Sequence, residues 1–155
     1  ERQDGSLRKR VISTWGEPPG REMNGVPPAM VHDGRIVITG VRYGNAVVCI
    51  QPKRGCAGAR CDGQVCKILH DPDIPPPHQY LATYRYLEHK FKADVLVHVG
   101  THGSQEFLPG KSVGLSESCY PDLAINTLPY LYIYNADNPA EGTVAKRRGP
   151  AVLDG

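Results

Sequence analysis

The stretch from Ala93 to Gly110, ADVLVHVGTHGSQEFLPG, constrains this chain more than any other. Val95-Leu96-Val97 is a short apolar run rich in β-branched residues, which predicts a buried strand. It runs into Gly100-Thr101-His102-Gly103, where two glycines permit a tight turn and close approach of backbone to a ligand. Ser104 stands two residues before Glu106 and is placed to cap a following helix. This order sets His98, Thr101, His102 and Glu106 at the carboxyl end of a strand, where ligands bind in open α/β sheets.

The flanking segments extend the same pattern. Pro75-Pro76-Pro77 leads into a predicted helix from His78 to Phe91, with Tyr80, Tyr84, Leu87 and Phe91 on one face. That helix feeds the strand at Val95 as a βαβ crossover would. Tyr130 to Tyr134 reads as another strand, and Pro139 opens a last helix running through Arg148. Residues 121 to 129 read as connection. Nearer the start, Val11 to Trp15 reads as a strand after a frayed basic segment, closed by the turn Gly16 to Gly20. Residues 20 to 34 read as loop. Arg35–Thr39 and Ala46–Ile50 are β-branched runs set to pair across Gly40–Asn45. The expected architecture is one α/β domain over residues 1–155: a mostly parallel sheet flanked by helices, long loops at the carboxyl ends of the strands, and Val95–Val99 as an inner strand.

Composition narrows the function classes. With 155 residues there is room for one domain with a real core. A net charge of +2 is too small for bulk nucleic-acid binding, and no apolar run is long enough to span a bilayer. The chain opens at Glu1 rather than Met and has no terminal signal, which leads us to expect an excised piece of a longer protein. Five cysteines, an odd number, argue against a disulfide framework and for a cytoplasmic setting. Cys56, Cys61 and Cys66 recur every five residues, with His70 four further on. They are either ordinary thiols in a Gly-rich loop or ligands of a metal or cluster, although zinc sites favour closer spacing.

His98, His102 and Glu106 are spaced four apart and carry groups that suit a divalent metal. The glycines between them argue against a continuous helix, so any convergence must come from a turn. The alternatives are a hydrogen-bonded core histidine at 98, a loop histidine at 102 and a first-turn glutamate at 106. Phe107 and Leu108 would desolvate Glu106 and raise its pKa. Lys146-Arg147-Arg148 either ends a helix or pairs with an anion.

Three stretches, HDPDIPPPHQYLATYRYL (70–87), ADVLVHVGTHGSQEFLPGKSVGLSESCYPD (93–122) and NPAEGTVAKRR (138–148), together resemble the large subunit of cobaltochelatase and magnesium chelatase. Residues 11–16 and 47–55 fit more loosely, and the cysteine series departs from the pattern. The resemblance implies a ligase-type enzyme of tetrapyrrole or cobalamin biosynthesis that inserts a divalent metal, cobalt or magnesium, into a porphyrin- or corrin-type macrocycle. It implies Glu106 as base or metal-handing carboxylate, with His102 and His98 beside it and Thr101 in the same turn. Lys111, Arg147 and Arg148 are implied partners of the macrocycle's carboxylates. ATP would be used by separate AAA-type ATPase subunits, since no G-x-x-x-x-G-K-[ST] loop occurs here. Two other readings compete: a binding module that holds metal through Cys56, Cys61, Cys66 and His70, and a metal-dependent hydrolase built on His98, His102 and Glu106.

Overall fold

The computed structural model describes residues 5–23, 25–54, 71, 73–100, 108–111, 116, 118–133, 139–148 and 151–154. They fall into two compact units, Gly5–Thr83 and Tyr84 onward, with the division inside one helix.

The first unit opens with α1, Gly5–Trp15, where the sequence predicts a frayed segment and a strand. Two interactions explain the difference. The hydroxyls of Ser13 and Thr14 both donate to the Arg10 carbonyl at 2.9 Å, which accommodates them in a last helical turn. Val11 and Trp15, four apart on one face, are both buried. Gly16, at φ +81, then closes the helix, its N–H donating to the Ile12 carbonyl at 2.7 Å.

Two antiparallel hairpins follow. Strands β1 (Val31–His32) and β2 (Arg35–Ile36) join through Asp33-Gly34, both at positive φ, as a two-residue hairpin turn requires. Strands β3 (Gly40–Tyr43) and β4 (Ala46–Cys49) pair Gly40 with Cys49 and Tyr43 with Ala46. The partner of β4 therefore starts where the sequence reading placed the separator. Gly40 has to be glycine, since a Cβ there would lie 2.6 Å from Cys49 Sγ.

Helix α2, His78–Arg85, starts after the prolines as predicted, and the π-helical segment Tyr86–Phe91 carries it to the predicted end. Its first turn is tied to the end of α1. A ring nitrogen of His78 bonds the Gly16 carbonyl at 2.8 Å, and Gln79 Nε2 donates to the Pro19 carbonyl at 2.7 Å. Trp15 Nε1 donates to the buried Pro75 carbonyl at 2.8 Å. His78 is thus accounted for by packing. Lys92, in the left-handed conformation, stops the π-helical segment.

In the second unit, β5 (Leu96–Val99), β6 (Tyr130–Ile133) and β7 (Ala151–Asp154) form a parallel sheet in the order β5-β6-β7. Helices α3 (Tyr120–Ile125) and α4 (Pro139–Arg148) lie in the two crossovers. The start of α4 matches its predicted proline, whereas α3 replaces an expected connection. Pro121 is compatible with it because the first turn of a helix loses no N–H bond.

Two parts of the expected sheet do not hold. Parallel pairing is confined to these three strands, because the hairpin turns make the other two sheets antiparallel. The central strand is β6, and β5 is an edge among the described residues. The sheet has unlike faces. Tyr130 and Tyr132 are buried on one, while Val97, Val99, Leu131, Ile133 and Val152 are exposed on the other.

Trp15→Phe keeps an aromatic ring but removes the donor to a buried carbonyl along with the pyrrole half of the indole, leaving a small cavity. The expected loss is about 1–3 kcal/mol, read as a lower urea midpoint at unchanged slope.

Candidate functional site

Strand β5 delivers His98 to the buried side of the sheet through the alternation of side chains. Its register partner on β6 is Tyr132, and the imidazole meets that ring edge-on at 4.9 Å between centroids. Tyr130, one pleat back, lies at 6.2 Å, and the two tyrosine rings stack at 6.1 Å. His98 is therefore held by aromatic packing on a paired strand.

The chain turns sharply after it. Gly100 sits at φ +154 and donates its N–H to the Ile133 carbonyl at 3.3 Å, extending the ladder by one bond. A Cβ at this position would lie 3.9 Å from His98 Nε2. Gly100 thus holds, beside the imidazole, a backbone conformation that other residues rarely adopt.

Thr101, His102 and Glu106 lie outside the described residues, and so do Cys56, Cys61, Cys66 and His70. Among the described residues, no group of three His, Cys, Asp or Glu side chains could hold a metal ion. Lys111 and Arg147 are exposed, Arg147 on α4; Arg148 ends that helix.

The chain is described again from Leu108, which is fully buried. A residue absent from the sequence reading secures this point. Cys119 is 2% exposed, and its Sγ accepts the N–H groups of Lys111 at 3.3 Å and Ser116 at 3.4 Å. It also lies 3.4 Å from Ser116 Oγ. Gly110 allows the approach, since a Cβ there would fall 2.8 Å from Cys119 Cβ. The next residue, Tyr120, donates its N–H to the Pro109 carbonyl at 3.0 Å. Burial pushes the Cys119 thiol up, but the Ser116 and Lys111 donors and the Lys111 charge outweigh it, so its pKa lies below the ordinary thiol value. Nothing in the SESC sequence marks this, because the pocket depends on Gly110, nine residues earlier.

These observations define a mixed helix-and-strand protein in which His98 stands near the carboxyl end of a short parallel ladder, while Arg147 and Arg148 close the helix that leads into the amino end of β7. The chain belongs to the CobN/magnesium chelatase family, whose model matches residues 1–154. It is 55% identical over 152 residues to the protein MJ1441 of Methanocaldococcus jannaschii, covering 96% of this chain and 12% of that protein. It is 44% identical over 146 residues to the aerobic cobaltochelatase subunit CobN of Pseudomonas aeruginosa, covering 94% and 11%. The catalytic subunit of cobaltochelatase from Mycobacterium tuberculosis has a similar structure, with a TM-score of 0.75 at 44% identity over 97% of this chain and 12% of that chain. The chain therefore spans only 11–12% of the length of the curated relatives it matches.

The lowered pKa of Cys119 carries a sign that can be checked. A thiol whose pKa is depressed in the folded state adds stability that is complete above its unfolded value of about 8.5. That stability is lost as the pH falls through the folded value. The gap in urea midpoint between the unaltered protein and Cys119→Ala should therefore widen with rising pH and level off near the unfolded value. A gap independent of pH would show that no thiolate forms.

Proposed function

We propose that this chain is a segment of the tetrapyrrole-binding, catalytic subunit of an ATP-dependent metal chelatase. The reaction inserts a divalent ion, cobalt or magnesium, as substrate into a porphyrin- or corrin-type macrocycle. The single observation that carries the reading is the family match over residues 1–154, which includes the whole central stretch. The geometry supports it, because His98 is fixed near the end of β5, eight residues before Glu106 in the sequence. The uncovered aliphatic face of the sheet supports the segment reading, since parallel sheets are ordinarily covered on both sides. In this reading residues 1–155 act as one α/β domain of a cytoplasmic enzyme of the ligase type. Separate AAA-type ATPase subunits hydrolyse the ATP.

The mechanism follows from what insertion demands. A free tetrapyrrole surrenders two pyrrole protons as it accepts the ion, so a base has to stand near the ring centre. Glu106 is that base, ionised when it acts and partly desolvated by Phe107 and Leu108 beside it in sequence. The ion must shed water and then be released, which calls for few and weak N/O ligands. His98 and His102, with Glu106, are those transient ligands, and Thr101, next to His102 in sequence, contacts the macrocycle. Lys111, Arg147 and Arg148 pair with the macrocycle's carboxylates, anchoring its rim while the centre reacts.

Two substitutions separate binding from chemistry. Glu106→Gln in the full subunit, supplied with its ATPase partners, should keep tetrapyrrole affinity within a few-fold in a fluorescence titration. Its insertion rate should fall about a hundredfold, the scale of a lost general base. Near-normal insertion would remove Glu106 from the mechanism and pass its role to His102. Arg147→Ala and Arg148→Ala should weaken macrocycle binding and leave the melting temperature alone. Unchanged affinity in both would reduce them to the end of a helix.

A further inference from the structure

A strained asparagine lies at the root of the β5–β6 pair. Helix α3 ends in a tight turn, Ile125 to Leu128, in which the Leu128 N–H reaches the Ile125 carbonyl at 3.4 Å. Asn126 occupies its first central position at φ +58 and ψ −120. These are the angles of a type II′ turn, where glycine is favoured and a side chain costs energy. Strain of this kind persists where the side chain does something that glycine cannot.

The Asn126 side chain is committed to a partner. Its Nδ2 donates to Glu88 Oε1. Glu88 lies in the π-helical segment, a rare form of backbone that often accompanies function. Its other oxygen, Oε2, accepts from Arg85 Nη1 at 2.8 Å, and Arg85 Nη2 donates to the Leu123 carbonyl of α3 at 2.7 Å. His89 Nε2 lies 3.4 Å from Glu88 Oε2. The carboxylate is largely buried, at 13% exposed. Burial raises its pKa, yet the bonds from Asn126 and Arg85 and the nearby charges of Arg85 and His89 bring it below the usual carboxylate range.

The position of this cluster gives it meaning. Residues 85–88 lie on the chain that enters β5, and residues 123–126 lie on the chain that enters β6. A few residues beyond the cluster the two chains meet, where the Leu96 N–H donates to the Pro129 carbonyl at 2.8 Å. The register set there places His98 opposite Tyr132.

We propose that Asn126 is a positioning residue for metal insertion, bracing the entries to β5 and β6 through Glu88 and Arg85 so that His98 is held in place at the site. The proposal rests on the chelatase reading for its activity and on the structure alone for the brace. Asn126→Gly suits the test, since glycine fits the turn and only the amide is lost.

Two readouts on the full subunit decide the matter. In hydrogen exchange followed by mass spectrometry, amides in residues 96–100 and 130–133 should exchange about tenfold faster, with α4 unchanged and the melting temperature kept within a few degrees. In the insertion assay, kcat should fall about tenfold or more while macrocycle Kd stays within about twofold, as expected for a misplaced group. Exchange that is unchanged, or accelerated evenly along the chain, overturns the proposal, and so does an unaltered kcat. If the unaltered subunit inserts no metal, the chelatase reading fails, and the exchange pattern alone decides for or against the brace.

Discussion

The parallel register of β5 on β6 is the constraint on which the second unit depends. Parallel neighbours cannot be joined by a tight turn, so the chain between them has to travel back along the sheet. Leu96 opens the ladder on Pro129, and Gly100 closes it on Ile133. Between those bonds the alternation sends His98, Tyr130 and Tyr132 to one face and Val97, Val99, Leu131 and Ile133 to the other. A slip of one residue would exchange the two faces and carry His98 away from the aromatic pair. The location of the imidazole is therefore a consequence of register.

Elements with a strong local signal were legible in the sequence. The prolines before His78 and at Pro139 mark the starts of α2 and α4, because proline is pre-organised for a first helical turn. The runs at Val95 and Tyr130 mark β5 and β6. Elements settled by tertiary partners were misread. The β-branched content of Val11 to Thr14 suggests a strand, and what overrides it is the Trp15–Pro75 bond with the burial of Val11 and Trp15. Asp33-Gly34 is a hairpin signal within a polar, Gly- and Pro-containing segment whose overall composition suggests a loop. The apolar run at Val95 suggests an inner strand, but sheet order depends on the crossovers, and periodicity carries no information about them.

The site was legible in a different way. The candidate residues stand close together in sequence and can be named before any fold is known; of them, the described structure places His98 on β5 against Tyr132. The supports of the site cannot be named in this way. Lys111 stood out for its charge, whereas what the described structure adds is its backbone N–H, donated to Cys119. Cys119 and Asn126 look like an ordinary thiol and an ordinary turn residue. Each gains its role from a group that is distant in sequence: Gly110 makes room for the thiol, and Glu88 receives the amide.

A chelatase has reason to spend structure on such supports. Its metal ligands have to be weak, because an ion held tightly would stay with the protein and never reach the ring. Weak ligands cannot organise themselves around the ion as a closed, four-coordinate zinc site does. Their placement must come from the fold, and errors in placement cost rate steeply when the groups that react are few. Macrocycle affinity is free of this demand, since it draws on ring area and carboxylates away from the centre. The proposed brace from Asn126 to Glu88 is a support of this kind, carried by the fold and independent of the ion.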